Sequence, residues 1–289
     1  MSSSANTMIE VWNTVLFEKF TRFRAVVTQG MSGHSDELLR RRAYPTGARV
    51  LDIGCGFGDT THKIARLVGP SGRAIGVDCA LNFIELCERE TAAAGIANAS
   101  YFVADVQGDD LRGPYDQMFS RFGTMFFTQP GAAFRNLRQA LKPAGELAMI
   151  VWRKREDNPW VHQAEMLVKE IVPVVKGEEP AQAHPAPGPF SMANADLVSE
   201  ILRGAGFDRI GFERFDTDVC IGQTVEAAIE LAMNTGPAGE IIRLAGDEGT
   251  KRKPQVVDAL RALFTPHKSA DGIWFGSSSW FVAARNPGP

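Results

Sequence analysis

The sequence predicts an α/β fold in which a doubly wound, largely parallel sheet carries helices on both faces. Short apolar runs alternate with amphipathic stretches through the first half of the chain, which is the pattern of strand–helix–strand units. The stretches GPSG, RGPYD and KPAGE supply turn residues between these elements. The stretch VLDIGCGFG places glycines directly after the first apolar run, where a tight turn leads into a helix.

The elements of the predicted sheet follow one another at regular intervals. The predicted strands, each a short and mostly apolar run, are 48–53, 73–78, 99–105, 115–120 and 145–152. The predicted helices between them, each an amphipathic stretch, are 60–68, 81–94 and 130–141.

Further elements flank this core on both sides. A helix over 8–29 carries aromatic residues at helical spacing, and residues 1–44 are expected to form an N-terminal helical cap. The cofactor-binding core is expected at 45–153, and 154–289 should supply capping helices and final strands of the same single domain. The expected elements of this last part are helices 161–173, 194–205, 224–233 and 253–264, a Pro/Gly-rich loop 177–190, and strands 208–219 and 277–285.

The composition is that of an ordinary globular protein. The chain has 289 residues, of which 44% are hydrophobic and 22% charged, and its net charge is −3. This length is enough for one large domain, and the slightly acidic balance argues against a nucleic-acid surface. The longest apolar stretch, LAMIVW, is far shorter than a membrane span, so we expect a soluble protein.

The cysteines and the N-terminal residues predict a cytoplasmic protein. The four cysteines form no CxxC pair and no cluster with histidine at metal-ligand spacing, so neither a disulfide framework nor a metal site is expected. The stretch MSSSANTMIEVWN lacks the cationic and apolar regions of a signal peptide. A homodimer is an open alternative to a monomer.

The glycine-rich turn predicts a ligand at the N-terminus of the next helix, because it brings bare backbone amides against that ligand. Gly54, Gly56 and Gly58 alternate, whereas a dinucleotide-binding turn has the order G-x-G-x-x-G. Asp59 occupies the place of the third dinucleotide glycine, and the loop has no P-loop lysine. An acidic loop of this kind disfavours a phosphate.

Carboxylates near the ends of the first three strands favour a different ligand. Asp52 lies before the turn, where it can receive donors from a cationic amine, directly or through water. Asp78 ends the second strand, where it can accept both ribose hydroxyls. Asp105 ends the third strand, where it can face an adenine amino group while the amide of Val106 meets a ring nitrogen. A ligand with an adenosine, an ammonium and a carboxylate but no phosphate fits, and S-adenosylmethionine (SAM) has those groups.

Several segments of the chain carry a family resemblance. They are VLDIGCGFGDTT, IGVDCALNFIELC, FVADVQ and SRFGTMFFTQPGAAFRNLRQALKPAGELAMIVW, with GPFSMANADLVSEILRGAGF and SSSWFVAARNP as looser matches. They resemble class I SAM-dependent methyltransferases (methyltransferase domain type 11/25) of the group similar to the ubiquinone/menaquinone-biosynthesis C-methyltransferases. This resemblance covers about residues 45–152 well, and it implies a Rossmann-like, seven-stranded sheet whose last strand is antiparallel.

The resemblance also implies a set of cofactor contacts. Gly54, Gly56 and Gly58 would line the methionine and ribose portion of SAM, Asp78 would hold the ribose, and Asp105 would hold the adenine. Ser120 would contribute backbone near the methionine end. The remaining candidates for cofactor binding are Asp52, Cys55, Thr60, Cys79 and Val106 beside these positions, and Trp12 as a lid contact.

The sequence does not identify a catalytic side chain. Methyl transfer is an in-line displacement, and holding the acceptor close and aligned supplies much of the rate. A base matters only for a poor nucleophile. The candidates are His34, which precedes a helix with Ser35 as its expected N-cap; His162, which follows the fifth strand; and Arg121, which could contact the methionine carboxylate or an anionic acceptor.

The sequence therefore predicts a SAM-dependent methyltransferase that acts on a small or mid-sized, apolar or aromatic metabolite. A SAM-binding enzyme of the same fold that does not methylate, pericyclase-like or lyase-like, is the alternative. Asp59 disfavours a nicotinamide-dependent oxidoreductase, and the acidic charge disfavours an RNA or protein methyltransferase. The acceptor pocket is expected to draw on the loop 177–190, on the helices within 224–264, and on the aromatic residues Trp12, Phe17, Phe20, Phe122, Phe126, Phe127, Trp152 and Trp160.

Overall fold

A mixed sheet forms the centre of the computed structural model, which describes residues 8–172 and 187–288. Its strands are β1 Arg49–Ile53, β2 Arg73–Asp78, β3 Ala99–Val103, β4 Tyr115–Arg121, β5 Leu141–Trp152, β6 Asp208–Gly222, β7 Lys268–Ser269 and β8 Gly272–Arg285. Their order is β3-β2-β1-β4-β5-β8-β6, and the two-residue strand β7 pairs with β8. β8 is antiparallel to both neighbours, whereas β1 to β5 are parallel to one another. The predicted α/β sheet with an antiparallel last strand is confirmed.

Helices cover both faces of this sheet. They are α1 Phe17–Arg22, α2 Ser32–Arg41, α3 Asp59–Val68, α4 Leu81–Ala93, α5 Pro130–Ala140, α6 Pro159–Ile171, α7 Ala195–Gly204, α8 Val225–Asn234, α9 Gly236–Leu244 and α10 Gly246–Phe264. Successive residues of β1 point to opposite faces, so Leu51 packs with Phe134 of α5 while Val50 packs with Ile64 of α3. All four of these side chains are fully buried. The strands between them are thus held from both sides by the hydrophobic effect.

The N-terminal segment differs from the single helix predicted over 8–29. It contains π-helical turns at Trp12–Leu16 and Val26–Gly30, and the helix α1 between them ends at Arg22. The prediction of Ser35 as an N-cap is wrong, because α2 begins at Ser32 and the Ser35 hydroxyl donates to the Ser32 carbonyl. The glycines of GMSG made a loop the natural expectation there. Gly30 instead packs tightly against the backbone of Cys220 in β6, and this close approach fixes the segment.

The C-terminal helices also depart from the prediction. Helix α9 was not predicted, and α10 begins at Gly246 rather than near residue 253. Glycines at 246 and 249 and Pro254 inside α10 are helix-breaking signals. Packing overrides them, since Gly249 contacts the carbonyl of Ile242 so closely that a side chain would not fit.

Part of the predicted surface loop lies outside the described residues, namely 177–186. Within residues 8–172 and 187–288, no helix combines the length and apolar character that crossing a bilayer requires.

Candidate active site

A cavity of about 740 Å³ opens at the carboxyl ends of the parallel strands. In open α/β sheets this edge is the usual place for ligands, because the loops that follow the strands meet there. The glycine loop after β1 and the ends of β2 and β4 line one half of the cavity. Residues of α6, α8 and α9 line the other half, and the N-terminal segment covers part of both.

The glycine loop needs glycine for its backbone conformation. Gly54, Gly56 and Gly58 have φ angles of 64°, 51° and 73°, a region that residues with a side chain rarely adopt. The amides of Gly54 and Cys55 donate to the Val77 carbonyl at 2.8 and 3.1 Å, which ties the loop to β2. A Cβ on Gly56 would meet no atom within 4 Å. The backbone of Gly56 therefore faces open space in the cavity and can receive a ligand at close range.

Asp78 presents its carboxylate beside this loop. Its Oδ2 accepts from the amide of Gly56 at 3.1 Å, and its Oδ1 accepts from the amide of Ala80 at 3.0 Å. Burial raises the pKa of Asp78, while the two amide donors act against that shift. Asp78 and its neighbour Cys79 both line the cavity. The carboxylate is thus held in one orientation at the position where a ribose is expected.

Asp105 also lines the cavity, and a residue that the sequence reading missed holds it in place. The side-chain amide of Gln107 donates to Oδ1 and Oδ2 of Asp105 at 3.1 and 3.2 Å. The side-chain oxygen of Gln107 accepts from the Thr128 hydroxyl at 2.9 Å. Gln107 and Val106 lie on the cavity wall as well. The Asp–Val–Gln run after β3 is a sequence signal that could have pointed to Gln107.

Asp52 lies behind the cavity and does not line it. Its side chain is buried, and its Oδ2 accepts from the hydroxyls of Thr60 and Thr61 at 2.7 and 2.6 Å. Its Oδ1 has no partner among the described residues. Burial raises the pKa of Asp52 to about 6.

Arg121, at the end of β4, does line the cavity. Its guanidinium donates to both carboxylate oxygens of Asp59 at 2.8 Å, and its side chain is 8% exposed. Asp59, which occupies the place of the third glycine of a dinucleotide-binding turn, is therefore paired with Arg121. Together these two residues place a planar, charged group at the methionine end of the predicted cofactor site.

Trp12 lies over the cavity, as a lid residue would. Its ring packs at 5.4 Å from the ring of Phe20 and edge-on at 5.1 Å from that of Phe126, measured between centroids. All three rings line the cavity. The N-terminal segment is thus joined to the loop after β4 by aromatic contacts.

Three further predicted cofactor residues, Gly58, Thr60 and Ser120, do not line the cavity. Gly58 packs under Tyr101 and Cys87, Thr60 bonds to Asp52, and the buried Ser120 hydroxyl donates to the Ile53 carbonyl at 2.8 Å. Their described contacts shape the loop and the strand ends. Cys55 is buried too, but it forms part of the cavity lining.

His34 does not line the cavity; its ring packs behind Phe122 and Trp152, which do. Its ring is fully buried, with Nε2 at 2.8 Å from the Ser277 hydroxyl and Nδ1 at 2.9 Å from the Ser279 hydroxyl. Burial lowers the pKa of His34 to about 4, and the nearby Arg121 adds to the shift while Asp216 opposes it. Because both nitrogens are engaged, His34 has the geometry of a structural residue that joins α2 to β8.

His162 lies on α6, close in sequence to residues that line the cavity, but it is not among them. Its Nδ1 is buried and has no hydrogen-bond partner among the described residues. Trp160 and Val161 of the same turn do face the cavity. Of the three candidates for catalysis, Arg121 alone is part of the lining.

Aromatic and charged side chains form the half of the cavity that lies away from the glycine loop. The rings of Phe122 and Trp152 stack at 3.9 Å between centroids, and Trp160 lies 5.6 Å from Trp152. A charged group on and beside α6, composed of Arg155, Glu165 and Lys169, also lines this half. The sequence reading missed these charged residues, because their spacing is equally typical of a solvent-exposed helix face.

Comparison with known proteins identifies the domain that contains the glycine loop. Residues 50–145 match the model of a methyltransferase domain. The ubiquinone/menaquinone biosynthesis C-methyltransferase UbiE of Pseudomonas aeruginosa (strain LESB58) is 26% identical over 175 residues, which are 58% of this chain and 68% of that protein. Residues 50–145 form a methyltransferase domain. The predicted family, the SAM-dependent methyltransferases, is thereby confirmed, and with it the predicted cofactor.

Solved structures share the fold of this methyltransferase domain and its surroundings. The YcgJ protein of Bacillus subtilis has a TM-score of 0.58 and 16% identity, covering 89% of this chain and 100% of its own. Phosphoethanolamine N-methyltransferase 2 of Haemonchus contortus, solved with S-adenosyl-L-methionine, has a TM-score of 0.57 and 17% identity. This alignment covers 96% of this chain and 60% of the Haemonchus protein.

The methyltransferase match covers one half of the cavity only. Gly56, Asp78 and Asp105 lie within residues 50–145, whereas Trp152 and Trp160 lie outside them. We refer to the half of the cavity beside the glycine loop as the cofactor half and to the other as the acceptor half. The family therefore accounts for the cofactor half. Apart from Phe122 and its neighbours, the acceptor half is built by parts of the chain that the family model does not include.

Proposed function

We propose that this protein transfers the methyl group of SAM to a small or mid-sized, apolar or aromatic metabolite. The observation that carries the proposal is that one cavity contains both the glycine loop and the aromatic wall of Trp152 and Trp160. A donor bound at the loop and an acceptor bound against the wall would share one enclosed space. A volume of about 740 Å³ lies in the range of small-molecule and cofactor sites.

The residues of the cofactor half suit a nucleoside that carries an amino acid. Asp78 would accept the ribose hydroxyls and Asp105 the adenine amino group, while the open backbone at Gly56 admits the ligand closely. Arg121, already bonded to Asp59, would face the carboxylate end of the ligand. SAM supplies a methyl group on a positively charged sulfur when it is bound.

The acceptor half would act chiefly by positioning. Aligning an acceptor in line with the donor and excluding water lowers the barrier without a catalytic side chain. The stacked rings of Phe122 and Trp152 offer a flat apolar surface for that purpose, and aromatic faces also attract cations. The buried His34 takes no part in this step, because both of its ring nitrogens are bonded to serines.

Calorimetry with the demethylated product, S-adenosylhomocysteine (SAH), tests the cofactor half. We expect micromolar affinity, roughly −8 kcal/mol, which Asp78→Ala removes almost entirely. Asp258→Ala is the matched control, since Asp258 is 78% exposed on α10. The absence of binding to both SAM and SAH in the wild-type protein would overturn the proposal.

Methyl-labelled SAM tests the transfer itself. After incubation with a metabolite extract, label should appear in a small-molecule product, and Asp78→Ala should abolish it. SAM binding without any transfer would instead favour the non-methylating alternative. Fractionating the extract by polarity then shows whether the labelled product is apolar, as the aromatic wall predicts.

We also propose a cytoplasmic location. All four cysteines are free thiols in the structure, which suits a reducing compartment. Cell fractionation of the source organism checks the location, and light scattering of the purified protein shows whether it forms a homodimer.

A further inference from the structure

A group of three charged side chains lies in the largely apolar acceptor half of the cavity. Glu165 is on α6, Lys169 follows one turn later, and Arg155 precedes the helix. All three line the cavity. We refer to Arg155, Glu165 and Lys169 as the charged triad.

The charged triad is centred on a buried carboxylate. The side chain of Glu165 is 3% exposed, and its Oε1 accepts from Arg155 Nη1 at 2.9 Å and from Lys169 Nζ at 2.6 Å. Its Oε2 accepts from the same Arg155 nitrogen at 3.1 Å. Two cations therefore face one carboxylate, and the triad keeps one excess positive charge.

The two cations retain unused hydrogen-bond donors. Arg155 engages Glu165 through Nη1 alone, and its Nε is buried without a partner among the described residues. Arg155 and Lys169 are 40% and 42% exposed, so both can still reach a ligand. Because Nε is buried, the donors left for a ligand are the other guanidinium N–H groups of Arg155 and the ammonium of Lys169.

Within residues 8–172 and 187–288, nearby charges do not cancel the excess. Glu240 of α9 also lines the cavity, but it is bonded to Arg243 at 2.6 Å. Arg243 above all, and Lys19 more weakly, hold the pKa of Glu240 below its ordinary value. Lys19 lines the cavity too and adds a further positive charge.

The surroundings of the triad are apolar. Trp160, Val161 and Ala164 lie on the same helix and line the cavity, and the Arg155 guanidinium lies 5.4 Å from the centre of the Phe190 ring. Charge interactions are stronger in such a setting than in water. The fork of an arginine can bind a planar carboxylate through two parallel hydrogen bonds, and the single negative charge of a carboxylate matches the one excess positive charge of the triad.

We propose that the methyl acceptor carries a carboxylate at one end of an apolar or aromatic body, and that Arg155 and Lys169 hold this carboxylate. The aromatic wall of Trp152 and Trp160 would hold the body. Glu165 orients both cations and reduces their charge, so that the acceptor can also leave. This inference rests on the proposed methyltransferase function and narrows its substrate class.

Matched probes in the presence of saturating SAH test the proposal. We would measure by calorimetry the pairs benzoate and benzamide, 2-naphthoate and 2-naphthamide, and octanoate and octanamide, which differ in charge but hardly in shape. We expect the carboxylate to bind at least tenfold more tightly in one or more pairs. Equal affinity within every pair, or no binding of any carboxylate, overturns the proposal.

Variants of the charged triad test whether Arg155 and Lys169 cause the preference for a carboxylate over an amide. Arg155→Gln and Lys169→Gln should each reduce carboxylate affinity about tenfold and leave amide affinity within twofold. Arg203→Gln on α7 and Lys251→Gln on α10, both exposed positions, are the controls and should change neither. A preference that survives both triad variants would contradict the assignment.

Glu165→Gln separates a binding role from a purely structural one. It removes the negative charge, so we expect tighter carboxylate binding even though the protein becomes less stable. A structural ion pair alone would give weaker binding in all three variants. SAH affinity, recorded first in each titration, tests the methyltransferase proposal separately, because it depends on the other half of the cavity.

Discussion

The guanidinium of Arg121 pairs with the carboxylate of Asp59 through two parallel hydrogen bonds of 2.8 Å. The pair joins the end of β4 to the first turn of α3, at the point where the glycine loop closes. Its side chains are 8% and 23% exposed, so water screens it only in part. It therefore braces the end of β4 against the start of α3, beside the predicted cofactor site.

A double-mutant cycle measures this brace. Arg121→Gln and Asp59→Asn should each lower the free energy of unfolding by about 1–3 kcal/mol, because each leaves a partly buried charge unpaired. Urea unfolding of the single and double variants should give a coupling energy of about 1 kcal/mol or more. The exposed pair of Arg261 and Asp258 is the control, with an expected coupling below about 0.5 kcal/mol. Coupling no larger than that of the control would contradict the buried geometry.

Gly58→Ala should destabilise the protein more than the same change at Gly95. Both glycines have positive φ, 73° and 66°, so both variants suffer backbone strain of about 1 kcal/mol. A Cβ at Gly58 would also lie 2.8 Å from the Tyr101 hydroxyl and 2.9 Å from the Cys87 sulfur, whereas one at Gly95 would meet nothing within 4 Å. We expect a total loss of about 2–4 kcal/mol for Gly58→Ala in urea unfolding. Equal losses of stability for Gly58→Ala and Gly95→Ala would contradict the expected clash of the new Cβ with Tyr101 and Cys87.

Asp52→Asn should stabilise the protein at neutral pH. Burial raises the pKa of Asp52 from 3.8 to about 6, so the folded state holds this proton more tightly than the unfolded state. The stabilisation is complete below pH 3.8 and is lost as the pH rises through 6, a change of about 3 kcal/mol. The stability gain of Asp52→Asn over wild type should therefore be larger at pH 7.5 than at pH 4.5. A gain independent of pH would show that Asp52 does not titrate in this window.

His34→Gln should reveal the opposite pH dependence. Burial lowers the pKa of His34 from 6.5 to about 4, so the unfolded state takes up a proton before the folded state does. The stability that neutral His34 contributes is complete above pH 6.5 and is lost as the pH falls to 4, again by about 3 kcal/mol. Urea unfolding at pH 7.5 and pH 4.5 should show the wild type losing more stability on acidification than His34→Gln does. Parallel pH profiles of the two proteins would contradict a neutral, buried His34.

The two titrations oppose each other in the wild-type protein. Asp52 favours folding at low pH, and His34 favours it at high pH, over overlapping windows. The two contributions partly cancel in the free energy of unfolding of the wild type, so its pH dependence alone would show neither. The single variants are needed because each removes one of the two groups.

The cofactor half could be predicted from sequence because its signals are local. Gly56, Asp78 and Asp105 each lie at the end of a strand or within three residues after it, and the carboxyl ends of parallel strands meet at one edge. Chain order and turn chemistry were therefore enough to bring them together, and all three line the cavity. Asp52 has the same kind of local signal, yet it is buried behind Thr60 and Thr61, because strand residues alternate between faces.

The sequence could not predict the position of His34, for a different reason. His34 looked like a possible site residue because its segment leads into β1. Its surroundings depend on β8, more than 240 residues later in the chain, whose serines occupy both ring nitrogens. No sequence pattern near residue 34 indicates that its partners are serines of β8.

The sequence by itself determined the fold class, the succession of strands and helices in the core, and the cofactor. The patterns that predict them, alternating apolar residues and glycine turns, act over a few residues at a time. Only the tertiary structure decided the acceptor half. There α6 packs on β8, α8 packs on β6, and α9 packs against both of these helices. These elements come from distant parts of the chain, and Arg155, Glu165 and Lys169 lie beside them in a largely apolar cavity. The same charges on an isolated helix would be an ordinary solvated face, and burial beside aromatic rings is what turns them into a candidate recognition site.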